Sequence, residues 1–277
     1  MAQIQYREGW FEARGGCSLY YRQWAPSGDS VPLVIVHGGG EHSGRYRETA
    51  ERLAREGYAV SAFDLPGHGR SPGKRGHVRS FEVYIESLRR FIGDQKPILI
   101  GHSLGGLVAT LYAVRHPETL RCLVLSSPLW GLNVPVPAWK RALARLLSPL
   151  WPSLTMGRPR LTGASLSHDP QVEVRYLSDP LVHFRASVRL YTEIQDRCRQ
   201  LPRVLPNLKV PLLLLQAGAD RVVSPEAVRR LFPAVGSAQK RLILYEGFYH
   251  ELFNEIDKER VFRDLLSFLV TFRPLAR

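Results

Sequence analysis

The chain has 277 residues, 44% hydrophobic and 23% charged, the balance of a globular protein with a sizeable core rather than of a disordered one. Its net charge of +13 would suit a nucleic-acid or anionic-surface partner. The basic residues are spread along the chain without a block of about five like charges or a nucleic-acid motif, so no nucleic acid is expected. Cys17, Cys122 and Cys198 are widely spaced, odd in number and without a CxxC pair, which argues against a disulfide framework or zinc site. The first residues lack the apolar core of a signal peptide, and no apolar stretch reaches about 18 residues, so the expectation is a cytoplasmic protein.

In chain order, Trp10 to Ala13 and Ser18 to Trp24 read as a hairpin of two strands around a Gly-Gly turn. Pro32 to His37 is a continuous apolar run, the pattern of a strand buried on both faces of a parallel sheet. A helix is predicted from Gly44 to Glu56, a strand from Tyr58 to Phe63, and a helix from Phe81 to Ile92, where apolar residues recur at helical spacing. Ile98 to Ile100 forms a strand, Leu107 to His116 a helix, and Cys122 to Ser126 a sixth strand. This alternation predicts a mostly parallel sheet flanked by helices. From residue 128 to 206 the alternation stops, leaving Pro-rich connections and helical pieces at Ala138 to Leu147, Pro170 to Leu177 and Leu181 to Gln200. Such a segment is too long for a loop. It reads as a helical cap inserted after strand 6, over a core made of residues 1–127 and 207–277. Val210 to Gln216 resumes the sheet, a helix from Pro225 to Phe232 follows Ser224 as N-cap, Lys240 to Tyr245 is the eighth strand, and Asp257 to Phe272 closes the chain.

The chemistry centres on Gly101-His102-Ser103-Leu104-Gly105, a G-x-S-x-G turn between a strand and a helix. Such a turn is strained and projects its serine from the strand end, where a Cβ at either glycine would clash. A serine hydroxyl is a weak nucleophile, so it needs an imidazole to take its proton and a carboxylate to orient that imidazole. Function collects beyond the carboxyl ends of the strands. There, Asp220 follows one later strand and His250 the last, which gives the order serine, acid, histidine. Gly38-Gly39-Gly40 after the third strand could supply an oxyanion donor from Gly39, with the backbone N–H of Leu104 as the second. His102, inside the turn, is expected to pack against a neighbouring strand, His37 to brace the glycine loop, and Asp64 to serve hydrogen bonding. The remaining histidines show no metal-ligand spacing, and this chemistry calls for no metal or cofactor.

These residues resemble a known group. His37-Gly38-Gly39-Gly40-Glu41-His42-Ser43-Gly44-Arg45-Tyr46 is similar to the signature of the monoacylglycerol lipase and lysophospholipase group of α/β-hydrolases, within the serine aminopeptidase S33-like hydrolases. So are Asp64 to Ser71, the serine turn, Ser167 to Pro170, Ser178 to Val182, Ala217 to Asp220 and Tyr245 to Glu251. The matches span residues 37 to 251. The resemblance implies the α/β-hydrolase fold, a triad of Ser103, Asp220 and His250, oxyanion donors at Gly39 and Leu104, and a head-group pocket near Glu41, His42 and Arg45. The sequence departs from the group at Gly39, where Ala is more frequent, and the cap matches least.

In the cap, Tyr176, Leu181, Phe184, Leu190 and Tyr191 could line an acyl pocket or simply pack. The helix around Trp139, Leu143, Leu146 and Leu147, with Lys140, Arg141 and Arg145 opposite, could touch a membrane or micelle while its apolar side lines an acyl tunnel; it could equally cover the core with a solvated basic face. The leading expectation is a serine carboxylesterase that cleaves monoacylglycerols or similar single-chain lipid esters through an acyl-enzyme. A lysophospholipase is the near alternative. A proline-type aminopeptidase would need a cap carboxylate such as Glu173, Asp179 or Glu193 to hold an amine, and a non-catalytic receptor could keep the same motif. The oligomeric state is not legible.

Overall fold

A computed structural model describes residues 3–133, 136–157 and 166–273; parts of the expected cap, 134–135 and 158–165, lie outside the described residues. Eight strands form the main sheet: β1 (Ile4–Glu12), β2 (Ser18–Pro26), β3 (Val31–Val36), β4 (Tyr58–Phe63), β5 (Ile98–His102), β6 (Cys122–Ser126), β9 (Leu212–Ala217) and β10 (Lys240–Tyr245). Their spatial order is β1-β2-β4-β3-β5-β6-β9-β10. Pairing is antiparallel for β1–β2 and β2–β4 and parallel from β4 to β10. This is the mostly parallel eight-stranded sheet that the sequence predicts.

Alternation along the central strands divides the interior in two. Val34, Val36, Leu99, Leu123 and Leu125 face one core, packed by α2 (Glu82–Ile92), α3 (Ser103–Arg115) and α7 (Pro225–Leu231). Leu33, Ile35, Ile98, Ile100 and Val124 face the other, packed by α1 (Arg47–Arg55) and α8 (Lys258–Leu269). With side chains buried on both faces, these strands need the unbroken apolar runs read in the sequence. The crossovers leave the carboxyl ends of β3, β5, β6, β9 and β10 along one edge of the sheet, and the loops after β3, β5, β9 and β10 carry the polar residues.

Between β6 and β9 lie α4 (Ala138–Leu150), β7 (Thr155–Gly157), α5 (Pro170–Ser178), β8 (Arg185–Ser187) and α6 (Val188–Val204). β7 and β8 pair antiparallel as a small separate two-stranded sheet, which the sequence does not predict. The helix expected over Leu181 to Gln200 begins only at Val188, where Ser187 caps it by accepting from the Leu190 N–H (3.1 Å). Residues 185–187 are taken by β8 instead. The segment is tied to the sheet's carboxyl edge where His183 N–H donates to Gly40 O (2.9 Å) and Ser187 N–H to Gly76 O (2.7 Å). The first strand starts at Ile4 rather than Trp10, because β1 is a largely exposed edge strand whose polar residues hid its pattern. The first predicted helix opens as a 3-10 turn, Ser43–Tyr46, before α1.

Candidate active site

Ser103 follows β5 directly and begins α3 at φ 51°, in the left-handed region that a β-carbon disfavours. Its neighbours permit the turn because they are glycines. A Cβ on Gly105 would lie 2.2 Å from the Val36 carbonyl oxygen, and one on Gly101 2.6 Å from the Gly105 oxygen. The strained serine thus rests on backbone contacts that no larger residue could make.

Across the sheet edge, the loop after β9 carries Asp220 and the loop after β10 carries His250. Asp220 Oδ1 accepts the Val222 and Val223 N–H groups (2.8 and 2.9 Å), which leaves Oδ2 to accept from His250 Nδ1 (2.7 Å). Both side chains are buried. Asn133 Nδ2 donates to the Asp220 carbonyl (2.7 Å) and steadies the acid's loop, a role the sequence reading did not assign. Burial works against a charged His250, but the Asp220 charge and hydrogen bond, with Glu251 and Glu41 beyond, raise its pKa above the ordinary histidine value. The Asp220 bond fixes Nδ1 as the protonated nitrogen of the neutral ring, leaving Nε2 as the free base. Among the described residues no direct hydrogen bond joins Ser103 Oγ to His250, yet both line one cavity of about 20 Å³, room for about one water.

His102, beside the serine, donates from Nδ1 to Ser126 O (3.0 Å) and lies 4.7 Å from the His250 ring. Burial first, then the neighbouring His250, pushes it down to about 4, so it stays neutral. His37 Nδ1 donates to Gly38 O (2.7 Å) while its Nε2 accepts the Leu65 N–H (2.9 Å), and Asp64 accepts from Ser43 and the Arg70 N–H. Both hold loops.

The wall of the small cavity is an ion-pair network. Arg45 Nη1 donates to Glu41 Oε2 (2.6 Å) and Glu251 Oε1 (2.7 Å), and Nη2 to Glu251 Oε2 (2.8 Å). Glu41 Oε1 accepts the Gly38 N–H (2.6 Å) and the Tyr46 hydroxyl (2.8 Å). Burial would raise the Glu41 carboxyl, but Arg45, then His102, His37 and the Gly38 N–H, hold it down to about 2. The Arg45 guanidinium also stacks 4.6 Å over the Tyr176 ring, which docks α5 onto the site. On the other side of His250, Glu255 is buried and accepts from the Tyr249 N–H (2.7 Å) and from His168 Nδ1 (2.9 Å). In the sequence Glu251 closes the motif Tyr245 to Glu251 without an assigned role, and Glu255 is not singled out.

A second cavity, about 240 Å³, shares Ser103 and Gly39 with the first. Leu104, Leu129, Leu132, Leu190, Ile194 and Val222 give it an apolar lining, with His68, His183, Arg185 and Tyr191 as its polar members. Of the residues singled out in the sequence, Glu41, Arg45 and Tyr176 reach the small cavity, and Leu104, Leu190 and Tyr191 the large one. His42, Leu181 and Phe184 line neither. His42 Nε2 instead donates to Asp179 Oδ2 (2.8 Å) at a separate polar groove, the Leu181 N–H caps Asp179 (2.8 Å), and Phe184 packs edge-on against Tyr176 (5.7 Å). Nor does α4 line a tunnel with its apolar side: Ala144 and Ser148 are its buried residues, while Trp139, Leu143 and Leu146 face solvent.

The family model described as serine aminopeptidase, S33, matches residues 31–257. A monoacylglycerol lipase from Mycolicibacterium smegmatis is 33% identical over 270 residues, covering 94% of this chain and 96% of the relative. A phospholipase from Bacillus subtilis is 34% identical over 255 residues, covering 88% and 97%. The crystal structure of a monoacylglycerol lipase from Paleococcus ferrophilus superposes with a TM-score of 0.83 at 35% identity, over 98% of this chain and all of that one.

Proposed function

We propose, from the premise that the chain belongs to the serine aminopeptidase S33 family and is a serine hydrolase of the α/β-hydrolase fold, that it hydrolyses monoacylglycerols or similar single-chain lipid esters through an acyl-enzyme. The observation that carries the reading is the position of Ser103 on two cavities, a small polar one and a larger apolar one. An ester whose carbonyl carbon meets Ser103 Oγ would lay its acyl chain along Leu129, Leu132, Leu190 and Ile194. Its alcohol would face Glu41, Arg45, Tyr176 and His250.

In this reading His250 Nε2 takes the Ser103 proton as Oγ attacks the carbonyl carbon, and Asp220 stabilises the imidazolium that forms. The backbone N–H groups of Gly39 and Leu104 hold the oxyanion. Leu104 suits that role as a first-turn residue of α3, where N–H groups lack partners within the helix. His250 then protonates the departing alkoxide, and a water deprotonated by the same nitrogen releases the fatty acid and restores Ser103. The small cavity has room for that water.

The B. subtilis relative named a phospholipase favours a lysophospholipid as second substrate. An amine substrate is disfavoured, because Glu173, Asp179 and Glu193 line neither cavity. Exposed Trp139, Leu146, Leu150 and Trp151, with Lys140 and Arg145 nearby, suit a peripheral contact of α4 with a lipid surface. No helix of the described residues is long and apolar enough to cross a membrane. A side-by-side panel of monoacylglycerol, lysophosphatidylcholine, diacylglycerol and a proline anilide tests the substrate: monoacylglycerol should give the highest kcat/KM, and a leading anilide would refute the lipid reading.

A further inference from the structure

Where α4 packs on α6, the side chains of Arg141, Arg145, Tyr191, Thr192, Gln195 and Arg199 enclose a small cavity of about 10 Å³. The helices are fixed together at this point: Ser148 Oγ and Thr192 Oγ1 share a hydrogen bond (3.0 Å), and Arg189 donates to Ser148 O (3.1 Å). Arg141 and Arg145 stand one turn apart on α4. Among the described residues neither makes an ion pair or a side-chain hydrogen bond, whereas Arg199 is paired with Asp196 (3.1 Å). Among the described residues no carboxylate lines the cavity. The Tyr191 hydroxyl is buried without a hydrogen-bond partner among the described residues, and the charges of Arg141 and Arg145 act on it.

Arg141 and Arg145 are exposed, so their mutual repulsion is screened and small, but the buried Tyr191 hydroxyl without a partner carries a larger cost. An anion with several acceptor oxygens would give the unpaired arginines a partner and the hydroxyl an acceptor. A phosphate is larger than the space itself, so it would sit at the mouth, where the exposed Arg141 and Arg145 side chains can turn their guanidinium groups onto its oxygens in pairs and the Tyr191 hydroxyl faces it from within. The same helix turns Trp139, Leu146 and Leu150 outward, so a lipid surface that meets α4 comes within reach of the arginines that flank that face.

We propose that Arg141, Arg145, Arg199 and Tyr191 form a binding site for a phosphate group, separate from the hydrolytic site. The proposal deepens the lipid contact read for α4, and Tyr191 joins the two regions because it also lines the apolar cavity.

The test uses the full chain in two arms, calorimetric titration with inorganic phosphate and co-sedimentation with phosphatidylglycerol vesicles, neither of which reads turnover. Arg145→Gln should weaken binding roughly tenfold, and Tyr191→Phe roughly fivefold with no change in charge. Lys140→Gln, which removes a neighbouring charge that does not line the cavity, should change phosphate binding less than about twofold and vesicle binding less than Arg145→Gln does. Saturable phosphate binding that competes with vesicles assigns the site to free phosphate as well as lipid. Vesicle binding with the same variant pattern but no competition assigns it to the lipid head group. Equal losses for Lys140→Gln and Arg145→Gln with none for Tyr191→Phe would show a diffuse basic face, and absence of binding in both arms would equally overturn the proposal. Phosphate binding by a protein that cleaves no monoacylglycerol would leave this site standing and remove the substrate reading instead.

Discussion

At Ser103, a positive φ, two close-packed glycines and a buried His250–Asp220 pair meet within a few residues of three strand ends. Each can be probed separately. Gly105→Ala drives a methyl against the Val36 and His37 carbonyl oxygens and should cost about 3 kcal/mol or more, read as a lowered unfolding midpoint in urea. Asp220→Asn removes the charge that supports the imidazolium while nearly keeping its shape, and kcat should fall about 10⁴-fold. Because Asp220 holds the His250 pKa above its ordinary value, the acidic limb of kcat/KM should have its midpoint above about 6.5. A midpoint below that value would contradict His250 as the base. These residues were legible in the sequence because chemistry demands each type at a strand end. His42 and Phe184 were not placed correctly, since a local motif does not say which way a loop side chain turns once Asp179 or Tyr176 offers it a partner.

Between elements, the network that joins Arg45 on the loop after β3 to Glu251 beyond β10 sets the wall of the small cavity. Removing the cation alone leaves Glu41 and Glu251 buried without compensation. Arg45→Met should therefore destabilise the fold by about 3–5 kcal/mol, measured by chemical denaturation. Central strands announced themselves through runs such as Leu33 to Val36, which must be apolar on both faces. The edge strand β1 and the short β7–β8 pair did not: one keeps only a weak alternation, and each strand of the other has three residues, too few for periodicity. Long-range partners such as Asn133 and Glu255 are invisible to pattern for the same reason, because nothing local marks the strand-end loop that each will meet.

For the whole molecule, the buried histidines make stability depend on pH in opposing ways. His102, pushed down to about 4, stays neutral in the fold, so its contribution is complete above the unfolded value of about 6.5 and is lost as pH falls toward 4. The lowered His37 acts in the same direction. His250, raised by Asp220, contributes fully below the unfolded value and loses that contribution as pH rises through its folded value. Thermal melts from pH 7 to 4 should show a loss of stability that His102→Asn, which can still donate to Ser126 O, makes shallower. The overall architecture was readable from the alternation of elements and the joint order of Ser103, Asp220 and His250. The apolar cavity was less so, because residues as far apart as Leu104 and Ile194 form its lining only after folding.

The proposed hydrolysis requires that a single-chain lipid ester acylate Ser103. Intact-protein mass spectrometry of rapidly quenched reactions with monoacylglycerol tests it most directly, with turnover followed in parallel. The account predicts a transient acyl adduct on Ser103, and in Ser103→Ala no adduct and a fall in kcat of at least about 10³-fold while the fold is retained. Undiminished turnover in folded Ser103→Ala, or an adduct on another residue, would contradict it.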